Sequence, residues 1–491
     1  MSDAYPLEHS RSLLLAARAS ASASDNRHLR SHMEATMILL SAEADLPGAI
    51  QSLSVLAATL RRGPGRLFLD PTTLDPGDIE RVVGAIMAID PKRGIAVTAS
   101  PPEPDVHVHL GTRPSGRAIR AVPHRHGGHL LLDPAIAGPT VTDVSGLGIV
   151  FTASIAAAEV FKTLAAVVPA RRRSPGQISF CPVTLGSDPG AAPILSSHDI
   201  DLALVGIGAI GTAVVLILSL LPLSGRLLAV DPQRFDRENL GTYSLGTLAD
   251  TVSRPQKTAL AERALTGWTV CPFGYPVADL PAAVDDGRVH WPTTVIVALD
   301  DVAPRHAAQL LWSDVLIDAG TGDTSVGMHE LRPVGPCEQC AFPIRKDGPS
   351  SIDRLAAATG LDPSYLAVDG VLDVETVDQL PADQQEQIRP LVGTRRCSLA
   401  QALGLSELDP DKYQPAIPFV AQQAACLAVG RLVALLTSVA TTVTQFQYDV
   451  LRGPDLAHAD RLAARPSCYC QQQADRIEQI RRLRGAAALG R

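Results

Sequence analysis

Apolar positions along this chain fall into short continuous blocks separated by glycine, proline and charged residues. MILLSA (37–42) and RLFLD (66–70) read as strands, and IERVVGAIMAI (79–89) carries apolar residues at helical spacing. VHVHLG (106–111) alternates like a half-buried strand, and TASIAAAEVFKTLAAVV (152–168) reads as a strong helix. The same grammar returns further on. Leu202–Val205 is a short apolar strand, and Gly206-Ile207-Gly208-Ala209-Ile210-Gly211 is a glycine turn. An apolar helix and a second strand ending at Asp231 follow. Glycines at this spacing let the backbone turn tightly and approach a phosphate seated on the helix N-terminus. Asp231 lies twenty residues past Gly211, where an acid meets a ribose hydroxyl. This much predicts an α/β fold and a nucleotide.

Two apolar stretches are long enough to be weighed as membrane spans, Leu202–Leu223 and Ala424–Val443. The first opens on three glycines and reaches Pro222, which fits strand, turn and buried helix. Arg431 interrupts the second, which reads as a core helix. Acids at Asp3 and Glu8, without a long apolar run, argue against a signal peptide. No membrane association is expected.

Length and composition then set bounds. A chain of 491 residues is long for one core and predicts two or three domains. With 46% hydrophobic and 19% charged residues it is globular. A net charge of −8 argues against a nucleic-acid partner. The basic runs Arg171–Arg173 and Arg481–Arg484 are expected to be solvated, and ASASASDNRHL (19–29) flexible. Eight cysteines, one pair spaced CxxC, point to a reducing, cytoplasmic setting with metal or catalytic thiols. Cys337-x-x-Cys340 with Cys468-Tyr-Cys470 supplies four thiolates for a closed tetrahedral zinc site that staples the C-terminal tail to the core. Cys181, Cys271 and Cys426 read as buried and inert. His107, His109, His124, His126 and His129 cluster without a carboxylate or cysteine at metal spacing, and are expected on the surface and in loops.

After Asp231 come DPQRFDRENL and then RPQK ending at Lys257. VIVALDDVAPR, LIDAGTGDTSVG and GPCEQCAFP follow in order. This series resembles the ThiF/MoeB and ubiquitin-activating enzyme superfamily, well over residues 198–345 and loosely over 415–475. The resemblance implies a Rossmann-like adenylation domain that uses ATP and Mg2+. Gly206, Gly208 and Gly211 would cradle the phosphates, Asp231 would bind the ribose, Asn239 and Lys257 would contact phosphates, and Asp300 would hold magnesium. One departure stands out. The family commonly has an arginine three residues after the asparagine, where this chain has Thr242. Arg237, Arg254, or Arg11 reaching in from the N-terminal segment YPLEHSRSLLL, are the candidate replacements.

The expected organisation has four parts. Residues 1–175 form an N-terminal α/β domain, a degenerate and inactive adenylation-like half. Residues 176–345 hold the active adenylation domain, 171–198 being mostly linker. Residues 346–415 are a crossover insertion. Residues 416–491 complete the adenylation domain and carry the second cysteine pair. The insertion contains LVGTRRCSLAQALG, in which Arg395 and Arg396 precede Cys397 and would favour its thiolate. Cys397 is the candidate thioester nucleophile. The resemblance therefore implies activation of a ubiquitin-like protein and its transfer to a conjugating enzyme. Enzymes of this kind occur in bacterial ubiquitin-like conjugation operons, some antiphage, and the alanine, arginine and proline content suits a GC-rich bacterial source. The alternatives are a sulfur-carrier or peptide adenylyltransferase without a thioester, an NAD-dependent dehydrogenase, and a scaffold with a decayed site. Pairing of domains, as a pseudo-dimer within the chain or a homodimer, is also implied.

Overall fold

A computed structural model of the chain describes residues 10–19, 26–167, 176–343, 351–368, 370–393, 396, 399 and 417–489. The chain divides into two compact units, one of residues 343–415 and the other of everything else.

The larger unit is built on two mixed sheets. The first contains β1 (Met37–Ala42), β2 (Arg66–Leu69), β3 (Ala96–Val97), β4 (Val106–Leu110), β5 (Ile119–His124), β6 (Gly127–Leu131) and β7 (Gln177–Phe180). The second contains β8 (His198–Val205), β9 (Leu223–Val230), β10 (Trp268–Phe273), β11 (Thr294–Val297), β12 (Val315–Gly322), β13 (Ser325–Leu331), β14 (Gln445–Asp449) and β15 (His458–Asp460). Spatial order is β3-β2-β1-β4-β5-β6-β7 in the first sheet and β10-β9-β8-β11-β12-β13-β14-β15 in the second. Each sheet therefore starts in the middle, steps outward twice, crosses back, and continues to the other edge. In each the first five strands pair in parallel and the later ones antiparallel. The first sheet does not end at the expected linker, since β7 runs to Phe180.

Parallel strands covered on both faces need continuous apolar sequence, which MILLSA and LALV provide. One face of each sheet is covered by a layer of helices between the sheets, and the second sheet's other face packs on Leu280, Ala283 and Ala308. Helix Gly146–Leu164 packs on Ala49–Arg61 of its own sheet and on Pro418–Leu436 of the other, which in turn packs on Ala209–Ser219. One apolar core runs through all four helices into both sheets. Helices Gly146–Leu164 and Pro418–Leu436 are long and apolar enough to cross a membrane, but 94% and 89% of their apolar windows lie inside the protein. The second helix runs unbroken through Arg431, the one charged residue in its apolar sequence. Its buried guanidinium pairs with Glu330 at 2.8 and 3.0 Å and donates to the Val183 carbonyl.

Three expectations are corrected. Helix Asn26–Ala35 covers the end of the stretch expected to be flexible, and Leu29 is buried on it. The C-terminal basic run is not wholly solvated. Arg484 is buried against Asp285 and the carbonyls of Leu310 and Leu311, and Arg481 donates to Trp312 and Asp314. The histidine cluster is largely interior, with His109, His126 and His129 all buried. His107 and His109 both meet the Ser41 hydroxyl, at 2.7 and 2.8 Å. His129 bridges His124 and Ser179, and His126 bridges Ser145 and the Pro193 carbonyl.

The smaller unit has its own apolar cluster of Leu361, Leu366, Leu372, Val377, Ile388 and Leu399 beneath short helices. Cys397 lies outside the described residues. Its neighbour Arg396 stacks 3.5 Å from the Tyr365 ring centroid and donates to the carbonyls of Tyr365 and Val371.

Candidate nucleotide site and cysteine knuckle

The carboxyl ends of β8, β9 and β11 meet where the second sheet's strand order reverses, with β9 on one side of β8 and β11 on the other. Crevices at such switch points are where open α/β sheets bind ligands. The glycine turn and Asp231 lie directly beyond β8 and β9, and Asp300 beyond β11.

Each glycine has a different job. Gly206 has φ +95°, a left-handed conformation that L side chains rarely adopt, and a Cβ there would sit 2.5 Å from the Ala298 carbonyl oxygen. A Cβ on Gly211 would sit 2.0 Å from the Gly206 oxygen, so this glycine lets helix Ala209–Ser219 close onto the turn. Gly208 is different: the nearest atom to its Cβ position is the Tyr243 hydroxyl at 3.8 Å. That open space faces a helix whose first N–H groups have no side-chain cap, so an anion can come up to the backbone.

Asp231 is buried and fixed by the amides it accepts from, Ile207 and Gln233, both at 2.8 Å. Burial pushes its carboxyl above the ordinary carboxylate range, and the nearby charge of Asp300 adds to the rise. Lys257 is buried as well. Its ammonium donates to Gln233 Oε1 at 2.6 Å and lies 5.1 Å from the Tyr243 ring centroid. Burial alone would lower its pKa, but Tyr243, Asp231 and Asp300 outweigh it and raise it, so the lysine stays cationic. Asn239 sits in the single-turn helix Arg237–Gly241, where its Oδ1 accepts from the Asp236 amide at 2.9 Å. Its NH2 group remains as a donor. Asp300 is exposed at the crevice mouth. A phosphate carrier would thus meet open backbone at Gly208, a fixed cation at Lys257 and an acid at Asp231.

Thr242 is fully buried and its hydroxyl turns back to the Asn239 carbonyl. Arg254, a proposed replacement for the missing arginine, pairs with Asp236 at 3.1 Å. Arg11 is half-buried on helix Ser10–Ala19. Sequence reasoning missed Tyr243 and Gln233, which hold Lys257. Arg305, which closes the VIVALDDVAPR stretch, is buried against Asp318 and donates to the Leu299 carbonyl just before Asp300. Only the placing of Tyr243 one residue beyond the anomalous Thr242 hinted at a role.

The four predicted cysteines do converge. Their sulfurs lie within 4.8 Å of one another, with Cys337–Cys468 at 3.5 Å, Cys340–Cys470 at 3.7 Å and Cys337–Cys340 at 4.0 Å. Tetrahedral ligands at 2.3 Å from a zinc ion stand about 3.8 Å apart, so the set fits that geometry. Burial raises the thiols of Cys337 and Cys470, the latter to about 11. Cys340 goes the other way, to about 7, because amide donors including Arg465 outweigh its burial. Trp312 and Ile477 close the knuckle. Of the other cysteines, Cys181 and Cys426 are buried, whereas Cys271 is partly exposed rather than interior.

No protein-family model matches the chain, and no curated protein sequence matches it. Among solved structures, E. coli MccB with MccA-N7isoASN is similar at 14% identity and a TM-score of 0.37, over 55% of this chain and 67% of that one. E. coli MccB with ATP gives 14% identity and 0.37 over 73% and 98%. PaaA gives 13% and 0.31 over 54% and 64%. These values mark a partial likeness of chain path, and the chemistry has to be read from this chain's own residues.

Proposed function

We propose that the chain activates the C-terminal carboxylate of a ubiquitin-like protein by adenylation with ATP. The observation that carries this reading is the pairing of the open Gly208 backbone with a buried cation, Lys257, held by Gln233 and Tyr243. A dinucleotide dehydrogenase needs the glycine turn and the acid, but not a lysine fixed beside them. The substrate carboxylate oxygen would bond to the α-phosphorus as the bond to the bridging oxygen breaks, and pyrophosphate would leave. Lys257, itself buried, would offset charge on the phosphates. Asp300 would hold Mg2+, which supplies further neutralisation of the pyrophosphate. The four-cysteine knuckle would hold a structural Zn2+ and take no part in the chemistry.

The finer reading extends to a relay. The Cys397 thiolate would attack the acyl carbonyl, AMP would leave, and the thioester would pass to the cysteine of a conjugating enzyme. Residues 1–175 would then be a degenerate adenylation-like half. In support, the first sheet has the strand order of the second, while the turn after β1 carries Glu43 in place of glycine. That carboxylate is buried and held ionised by the amides of Arg113 and Thr112, although burial alone would oppose it. A phosphate would be repelled there. An antiphage operon is the setting this reading suggests.

ATP–pyrophosphate exchange tests the first step, using the purified chain with small ubiquitin-like proteins encoded beside its gene. Exchange by both wild type and Cys397→Ala, with a thiol-sensitive adduct on wild type only, supports the relay. Exchange without an adduct leaves a peptide or sulfur-carrier adenylyltransferase. Binding of NAD but not ATP sinks the proposal.

A further inference from the structure

The loop from Phe235 to Leu248 carries Asn239 and Tyr243, yet much of what holds it comes from the other sheet. Arg62 caps the C-terminus of helix Ala49–Arg61, and its side chain is almost wholly buried. Its Nη1 donates to the Leu240 carbonyl at 2.5 Å, and its Nη2 to the carbonyls of Ser244 at 3.1 Å and Gly246 at 2.9 Å. These three carbonyls bracket Thr242 and Tyr243. Two more contacts come from the same side. The Ala88 carbonyl accepts from the Leu248 amide at 2.9 Å, and Ile89 packs with Phe235, Leu240, Tyr243 and Leu260.

We propose that Arg62 is a positioning residue for the nucleotide site, a clamp through which the first half sets the loop that supports Lys257. Only arginine offers a rigid fork of donors able to gather several carbonyls at once; a lysine ammonium keeps the charge but loses the fork. Tyr243 links the clamp to the chemistry. Its ring lies beneath the Lys257 ammonium, its hydroxyl is the nearest atom to the open Gly208 position, and its backbone is pinned between the clamped carbonyls. The first half thus contributes to the site without touching the ligand. This deepens, and rests on, the reading of the crevice as a nucleotide site.

Arg62→Lys in the full chain is the test, with Arg120→Lys as a matched control. Arg120 is equally buried and donates to the carbonyls of Thr112, Asp133 and Ile136, all within the first half. Both variants are expected to lower the melting temperature. Only Arg62→Lys should raise KM for ATP in the exchange assay, by about tenfold with kcat changed far less. It alone should also speed hydrogen exchange of the amides in 239–248, measured without nucleotide. Unchanged KM and unchanged exchange in Arg62→Lys would overturn the proposal, as would equal effects in Arg120→Lys. A wild-type chain that binds no ATP would overturn the nucleotide reading and the positioning role with it. The exchange data would still tell whether the clamp itself exists.

Discussion

Placing a methyl group on each glycine of the turn in separate variants should split folding from binding. In Gly206→Ala the residue keeps φ near +95° and meets the Ala298 oxygen at 2.5 Å. Strain and overlap together cost about 2–5 kcal/mol. Gly211→Ala drives a methyl to 2.0 Å from the Gly206 oxygen, a backbone atom that cannot swing aside. Its cost is about 1–3 kcal/mol or more. Gly208→Ala behaves otherwise. Its φ of −84° and ψ of −152° suit any residue, and no atom lies closer than 3.8 Å. The loss of glycine at a helix N-cap and the gain from a stiffer unfolded chain are each about 0.5–1 kcal/mol and nearly cancel. In a chain of this size roughly 2 °C of melting temperature goes with each kcal/mol. Gly206→Ala should therefore melt about 4–10 °C early, and Gly208→Ala within about 2 °C of wild type. Yet the Gly208 methyl occupies the space proposed for phosphate, so ATP affinity should fall at least about tenfold by calorimetry, or about 1.4 kcal/mol. Wild-type ATP affinity in Gly208→Ala would refute the assignment of that space. Wild-type stability in Gly206→Ala would refute the geometry of the turn.

Other outcomes follow from the same geometry. Lys257→Met should abolish measurable pyrophosphate exchange while leaving a folded chain by circular dichroism, because a buried cation is exchanged for a similar apolar volume. The purified chain should contain about one zinc per molecule by elemental analysis, and Cys470→Ser or a strong chelator should remove it and lower the melting temperature. Burial and the nearby His124 hold His129 down at about 4, against an ordinary 6.5. The unfolded chain then binds the extra proton, so stability should be present above pH 6.5 and lost as pH falls toward 4, by up to about 3 kcal/mol. Acid melting curves of His129→Gln should show a smaller fall over that window.

The crevice could be read from sequence because its chemistry is local: a glycine turn between an apolar strand and helix, with acids at strand ends. The knuckle was readable for a similar reason, since close cysteine pairs imply a shared site even at long separation. What escaped is tertiary. Arg62 is 178 residues from the Leu240 carbonyl it holds, and nothing in its neighbourhood marks it out. The histidines misled through their setting. In VHVHLG they occupy the alternate positions that a half-buried strand would give to solvent, but β4 is a central parallel strand covered on both faces. The C-terminal arginines misled because a basic run looks solvated until acids such as Asp285 and Asp314 are folded against it.

Both sheets, and the helices between them, belong to one polypeptide. A loop held by a separate subunit would come adrift on dilution, at a rate and extent set by the association constant. Here the holding group is tethered, and its effective concentration does not depend on how many copies a cell contains. The two sheets are also free to diverge in sequence, because a substitution in one is not imposed on the other, as it would be in a pair of identical chains. One half can then carry buried carboxylates and histidines of its own while its arginine keeps its place against the loop of the other.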